Sequence, residues 1–337
     1  MKSLVRMLVL LPLVAVAIPV GLLALVIYSW GLGPQRPKLV GIFHPYCSAG
    51  GGGERVLFCA IRSIPQDFRV VVYTGDADTE HIVQHCLDNF GPGSTPEQGR
   101  IQFVCLKLRF LVEAETWPRF TLIGQSLGSV LLGIEALFRG PNPTIFLDTM
   151  GYAFTYPVAS LVANKVACYV HYPTISTDML AKVSAKRNGR VTSNAAKYYY
   201  YLGFASLYRA VGHFAGLVMV NSTWTKNHID SLWGIQSLLV FPPCLSEANK
   251  LTRELAREFV VVSLGQFRPE KNHELQLRAI HAYNSTHKDR LRLCMIGSCR
   301  HEQDEALVIG LRTLAVNELN LEEGVDFEFL INCKRQR

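Results

Sequence analysis

Three observations predict an α/β protein built on parallel sheets behind an N-terminal apolar helix. A strand, a glycine loop and a helix follow one another between Lys38 and Ile64. Short apolar runs then alternate with stretches of helical spacing as far as Phe241, and the alternation restarts at Phe259, beyond Pro242-Pro243-Cys244. Such alternation folds as a parallel sheet covered on both faces. With 337 residues, 49% of them apolar, the chain is long enough for two domains. The expected divisions are 1–36 for a membrane anchor, 37–243 for a first α/β domain and 244–337 for a partial second one.

Met7 to Trp30 carries no charged residue. As a helix this run spans ~36 Å at ~1.5 Å per residue, enough for a bilayer core. Lys2 and Arg6 precede it, Tyr28 and Trp30 lie at its far edge, and Arg36 and Lys38 follow. Pro12 and Pro19 are tolerated in membrane helices. Ala15-Val16-Ala17 resembles a signal-cleavage site, but the apolar run continues well past it, so a retained anchor is expected. Cations at both ends leave its orientation open. Two sequons, Asn221-Ser222-Thr223 and Asn284-Ser285-Thr286, would carry glycans on a lumenal body and none on a cytosolic one.

The next unit runs from a strand at Leu39–Phe43, through turn residues His44 to Ala49, into Gly50, Gly51, Gly52 and Gly53. Val56, Leu57, Ala60, Ile61 and Ile64 then recur at helical spacing. Four residues without a β-carbon let the backbone approach a ligand closely. The free N–H groups of the helix start would face an anionic or polyhydroxyl group, with Glu54 and Arg55 as polar handles. A tight turn that packs helix on sheet accounts for the glycines equally well. The dinucleotide fingerprint fails, because its last position falls on Arg55 or Val56, and no lysine follows as a phosphate loop requires.

Phe68–Thr74 reads as a second strand, ended by Gly75-Asp76-Ala77-Asp78, with a helix near Glu80 to Asn89 and a loop holding Gly91, Pro92, Gly93 and Pro96. Ile101–Leu106 reads as a third strand. Phe120–Phe138 is a buried or membrane-skimming helix, interrupted by Gln125 and Glu135. Thr144–Asp148 and Ala167–His171 are further strands. In open parallel sheets ligands collect beyond the strands' carboxyl ends, which places His44, Asp148 and His171 at one edge. Lys182, Lys186, Arg187, Arg190 and Lys197 precede Tyr198–Tyr201, Phe204 and Tyr208, a mixture that suits a membrane interface and equally a basic loop beside a core helix. Gly216–Asn221 and Leu238–Phe241 complete the first sheet. After an expected helix at Ser246–Glu258, strands at Phe259–Leu264, Leu291–Ile296 and Asp326–Ile331 alternate with helices at Glu274–Thr286 and Glu302–Glu318. This is half of a doubly wound domain.

The net charge of +7, from 34 basic and 27 acidic residues, suits a diphosphate or an anionic membrane and is too diffuse for nucleic acid. Nine cysteines without a C-x-x-C pair read as reduced thiols facing the cytosol, and zinc is not expected. Arg268 and Lys271, ahead of a helix, could bracket a diphosphate; an ordinary charged surface loop is the alternative. Gly124-Gln125-Ser126-Leu127-Gly128 matches the G-x-S-x-G elbow of hydrolases, but the apolar run before it is short for the required strand, so a hydrolase is disfavoured. Asp76-Ala77-Asp78 has the D-x-D form of metal-dependent sugar transferases; a turn explains it equally well, and a metal-free site is preferred.

Several short motifs, in order, carry a resemblance. Phe43-His44-Pro45-Tyr46-Cys47 runs into Ala49-Gly50-Gly51-Gly52-Gly53-Glu54-Arg55-Val56-Leu57, and Tyr169-Val170-His171-Tyr172-Pro173, Val220-Asn221-Ser222, Pro242-Pro243-Cys244 and Arg268-Pro269-Glu270-Lys271-Asn272-His273 follow. From the anchor to about Ile331 the chain resembles the dolichol-pathway α-1,2-mannosyltransferases, retaining enzymes of GT-B type. The resemblance implies two Rossmann-like domains, the second incomplete, and GDP-mannose as donor with no metal or other cofactor. The acceptor it implies is the dolichol-diphosphate-linked oligosaccharide of protein N-glycosylation, extended by its fourth and fifth mannoses. A single-pass protein of the endoplasmic reticulum membrane with its body in the cytosol follows, with other mannosyltransferases of the pathway as partners and no nucleic acid. Gly50 to Gly53 and Glu54 would lie against donor phosphates and acceptor, His171 would be a catalytic residue near the transferred sugar, and Arg268 with Lys271 would hold the GDP diphosphate. The leaving phosphate would help deprotonate the acceptor hydroxyl. Family members carry a pair of glutamates later in the second domain, and this chain ends before that region. The expectation is therefore a truncated form that is weakly active or inactive, with a non-catalytic membrane protein that binds lipid-linked glycan or a partner transferase as the alternative.

Overall fold

The structure, a computed structural model, describes residues 2–31, 38–48, 51–78, 80–84, 100–179, 193–244, 258–299 and 302–333. Gly50, the loop at 91–96, Lys182, Lys186, Arg187 and Arg190, the expected helices beyond residue 84 and at 246–257, and the tail at 334–337 lie outside the described residues. Two compact units divide between Leu245 and Ser246, and each is described by itself.

The first unit opens with α1 (Lys2–Trp30), then β1 (Leu39–Phe43), α2 (Gly52–Ser63), β2 (Arg69–Thr74), β3 (Ile101–Cys105) and α3 (Thr121–Arg139). It continues with β4 (Ile145–Asp148), α4 (Tyr156–Ser160), β5 (Lys165–Val170), α5 (Ser193–Gly212), β6 (Leu217–Val220), α6 (Thr223–Trp233) and β7 (Leu238–Leu239). Among the described residues these strands form one sheet in the order β3-β2-β1-β4-β5-β6-β7, all parallel, with Val40 opposite both Val70 and Ile145. The strand order reverses between β1 and β4. A crevice opens at such a reversal, outside the strands' carboxyl ends.

Alternation along the strands splits the core in two. Val40, Ile42, Val70 and Val72 pack on Leu57, Phe58 and Ile61 of α2. Phe43, Val71, Tyr73, Phe146 and Val170 face the other way, toward α3, α5 and α6. Both faces of β1 are therefore buried, which is why its sequence is a continuous apolar run.

Two polar interruptions of α3 serve the segment beneath it. The Glu135 carboxylate accepts the N–H groups of Lys107 at 2.7 Å and Leu108 at 2.9 Å, and the Gln125 amide donates to the Val112 carbonyl at 2.7 Å. Gly128 permits the contact, since a β-carbon there would lie 2.1 Å from the Leu111 carbonyl oxygen. Ser126 lies mid-helix and donates to the Leu122 carbonyl at 2.7 Å, so the hydrolase-like pentapeptide forms no strand-to-helix elbow.

α1 is long and apolar enough to cross a membrane, and one face of it docks on α3. Val14 and Leu25 are buried, Gly21 lies against Ile134, and the Asn142 amide donates to the Tyr28 hydroxyl at 2.9 Å. Leu13, Val16, Val20, Leu23 and Ile27 form the opposite, exposed stripe.

The second unit contains β8 (Val260–Leu264), α7 (His273–Thr286), β9 (Arg292–Gly297), α8 (Glu302–Thr313) and β10 (Phe327–Ile331), with a parallel sheet in the order β10-β9-β8. Phe267, Leu277, Leu293, Met295, Leu311 and Phe327 fill its core. The helix expected up to Glu318 changes character at Leu314, where a π-helical turn ends it. β7 stops at Leu239, short of the expected Phe241, ahead of two prolines that cannot donate to a ladder.

Candidate active site

The crevice between β1 and β4 is lined by residues just beyond the strand ends. His44 follows β1, and its Nδ1 lies 2.7 Å from the Thr149 hydroxyl, just beyond β4. His171 follows β5 and hydrogen-bonds the Thr149 backbone. One threonine thus positions two imidazoles from different strands. The Nε2 atoms of both rings are buried and have no partner among the described residues.

Both rings converge on the first turn of α2. A β-carbon built on Gly53 would lie 3.9 Å from His171 Nε2, 3.9 Å from His44 Cε1 and 4.0 Å from Met150 Sδ. Hydrogen is therefore all that stands between the helix start and the two rings. Met150 also lines an adjoining cavity of about 230 Å³ with Gln125, Ser126, Ser129, Tyr152 and Thr174.

Burial, with His171 nearby, pushes the His44 pKa down to about 3, and burial lowers that of His171 as well. Both rings are held neutral at pH 7. A neutral imidazole offers one donor and one acceptor, so the free Nε2 atoms suit hydroxyl groups better than a fixed charge. Asp148 sits behind them, wholly buried, accepting the Tyr156 hydroxyl at 2.7 Å and the Met150 N–H at 2.9 Å. Burial pushes its carboxyl up to about 6. These bonds shape the turn that aims Thr149.

The predicted glycine loop is placed in part. Gly51 is the N-cap of α2, and Gly52 and Gly53 open the helix. Glu54 is folded back, with its carboxylate accepting the Gly51 N–H at 2.9 Å, which is the glutamate half of a capping box; Gly51 has no side chain to supply the other half. Asp76 of the D-x-D segment accepts the N–H groups of Cys47 at 2.7 Å and Ser48 at 3.0 Å and pairs with Arg109 at 2.5 Å. Its oxygens stitch the turn after β2 to the entry of the glycine loop. Among the described residues no three His, Cys, Asp or Glu side chains are grouped to hold a metal ion.

In the second unit Arg268 and Lys271 bound a short turn ahead of α7. The Lys271 side chain runs past Gly265 at the end of β8, 3.8 Å from where a β-carbon would be, and Arg268 lies 3.9 Å from the Glu270 carboxylate. Close approach of strand ends is required here too, because a β-carbon on Gly297 would meet the Gly265 carbonyl oxygen at 1.9 Å. Gly51, Gly52, Gly53 and His171 are thus gathered in one unit, and Arg268 and Lys271 in the other. Thr149 and Met150 were not anticipated; they stand directly after Asp148, at a strand end the sequence does mark.

A family model described as ALG11 mannosyltransferase N-terminus matches residues 37–233. Among curated relatives named GDP-Man:Man(3)GlcNAc(2)-PP-Dol alpha-1,2-mannosyltransferase, that of Dictyostelium discoideum is 45% identical over 322 residues, covering 87% of this chain and 63% of the relative. The Homo sapiens relative is 41% identical, covering 88% and 64%, and that of Caenorhabditis elegans is 38% identical, covering 86% and 66%. The chain thus spans under two thirds of their length. Among solved structures, the N-terminal domain of Candida albicans trehalose-6-phosphate phosphatase aligns with a TM-score of 0.56 at 10% identity, covering 91% of this chain and 75% of that one. A UDP-forming trehalose-phosphate synthase from Burkholderia xenovorans aligns at 0.54 and 11% identity, covering 90% and 74%. At such identities the likeness is one of fold, which is of GT-B type.

Proposed function

Because the chain belongs to the family of ALG11 mannosyltransferases, whose N-terminal region it matches over residues 37–233, we propose that it transfers mannose from GDP-mannose onto a dolichol-diphosphate-linked oligosaccharide. The linkage is α-1,2, and the fourth and fifth mannoses of the N-glycan precursor are added. The observation that carries this reading is 45% identity over 322 residues to a relative named for that reaction.

Arg268 and Lys271 bind the GDP diphosphate and stabilise the charge that grows on it as the sugar leaves, which is the dominant need of the step. The Nε2 atoms of His44 and His171 bind sugar hydroxyls. Backbone N–H groups at the start of α2, with no β-carbon at Gly53 to hold a ligand off, favour a polyhydroxyl or anionic group. The mannose leaves with its configuration retained, and the departing phosphate takes the acceptor's proton. No metal enters this scheme, because the two cations supply its electrostatics.

We infer that α1 anchors the chain in the endoplasmic reticulum membrane with its body in the cytosol; the length and apolar character of α1 support the anchor. In the folded chain the Asn284 amide nitrogen, the atom a glycan would occupy, donates to the Leu291 carbonyl at 3.1 Å and the Asp326 carboxylate at 3.0 Å.

The test is to incubate the chain, in detergent or liposomes, with GDP-mannose and the dolichol-linked acceptor of three mannoses. A product two hexoses heavier, trimmed back by an α-1,2-mannosidase, is expected. An acceptor of unchanged mass contradicts the reading.

A further inference from the structure

Directly after His171 the chain leaves two large aromatic rings in water. Tyr172 is 60% exposed and Trp224 40% exposed, and their rings stack with centroids 5.0 Å apart and planes 26° apart. Trp224 also meets the His228 ring edge-on at 4.0 Å. His228 is only 7% exposed; its Nδ1 lies 2.6 Å from the Thr177 hydroxyl and its Nε2 3.6 Å from the Asp178 carboxylate. The pair is therefore backed by a fixed imidazole. It also adjoins the candidate active site: the Thr225 hydroxyl, which donates to the Asn221 side-chain oxygen at 2.7 Å, lies 3.3 Å from the His171 carbonyl oxygen.

We propose that Tyr172 and Trp224 form a stacking platform for a pyranose ring of the acceptor glycan, with the Asp178 carboxylate receiving its hydroxyls. The proposal rests on the mannosyltransferase reading and adds an acceptor subsite to it. Aromatic faces carry negative charge density and attract the C–H face of a sugar, whose hydroxyls then point outward to polar neighbours. Asp178 is such a neighbour, exposed beside the ring that holds Trp224 in place. A lipid headgroup is the other surface that exposed Tyr and Trp suit, but an anionic membrane attracts cations, and among the described residues the charged group set against the His228 ring behind Trp224 is the Asp178 carboxylate. Tyr172 follows His171 in the chain, so a glycan on the platform extends from the place where its terminal hydroxyl reacts.

The experiment measures binding of the free pentasaccharide Man3GlcNAc2 to the full chain by saturation-transfer NMR. Tyr172→Ala and Trp224→Ala are expected to weaken binding about tenfold, the loss of roughly one aromatic contact. Trp224→Tyr keeps most of it, and Phe214→Ala, an exposed ring at the opposite end of β6, leaves it unchanged. In transfer assays the same variants raise KM for the lipid-linked acceptor and leave KM for GDP-mannose as it was. Wild-type binding in both alanine variants overturns the platform while leaving the transfer reaction standing, and so does a wild-type chain that binds no pentasaccharide. Variants that bind the glycan normally but lose binding to phosphatidylserine vesicles overturn it in favour of a membrane contact. Absence of transfer by a wild-type chain that still binds the pentasaccharide strikes the mannosyltransferase reading instead and leaves the platform in place.

Discussion

At Gly53 a methyl group would touch two imidazoles and a thioether at ordinary van der Waals distance, between 3.9 and 4.0 Å. Gly53→Ala is therefore expected to fold as well as the parent, or better by up to ~1 kcal/mol through helix propensity. Mannosyl transfer should nevertheless fall at least about tenfold if, as proposed, His44 and His171 meet a sugar in the space the methyl fills. Thermal denaturation and a transfer assay on one preparation separate the two effects. The same rings set a pH dependence. The His44 pKa is pushed down to about 3, so its stability contribution is present above the ordinary value near 6.5 and is lost as pH falls. The slope is up to ~1.4 kcal/mol per pH unit. Asp148 acts oppositely: with its carboxyl raised to about 6, its contribution is present at low pH and lost as pH rises through that value. Denaturant titrations at pH 7, 6 and 5 should show His44→Gln less sensitive to acid than the parent and Asp148→Asn more sensitive. His44, Asp148 and His171 were legible in the sequence as strand-end residues. That Thr149 holds both rings was not, because it depends on which side chains meet across β1, β4 and β5.

α3 shows what is and is not legible at the level of an element. Its apolar run reads as a helix, and Gln125 and Glu135 read as interruptions; that they satisfy the backbone of the turn at Leu108–Val112 needs the fold. Gly128→Ala drives a β-carbon into the Leu111 carbonyl, a backbone group with little room to yield, and should destabilise the chain by ~3 kcal/mol or prevent folding. Gly203→Ala in α5, where nothing lies within 4 Å, should be neutral or stabilise by up to ~1 kcal/mol. Unfolding midpoints of the two variants check the contrast. α5 was legible only as one of two readings, and α6 not at all. The four consecutive tyrosines of α5 suit interface chemistry as well as a core helix, and α6 mixes threonine, tryptophan and histidine without a clean apolar stripe. Its cap lies within a sequon, where the Ser222 hydroxyl accepts the Thr225 N–H at 3.2 Å.

For the whole molecule, alternation of strands and helices was enough to foresee two parallel sheets. The reversal of strand order between β1 and β4, which makes the crevice, is a property of topology alone. The apolar character of α1 was plain from composition, whereas its docking on α3 through Gly21 against Ile134 and Tyr28 against Phe138 was not. A cytosolic body predicts that Asn221→Gln and Asn284→Gln leave the electrophoretic mobility of the chain made in cells unchanged; a shift to faster migration would place the body in the lumen. The measurement that bears most directly on the site is mannosyl transfer by His171→Ala beside the parent chain. A loss of about 100-fold or more with an unchanged unfolding midpoint is expected of a residue that binds the reacting sugar. Transfer within twofold of the parent, by an equally stable variant, would contradict the account.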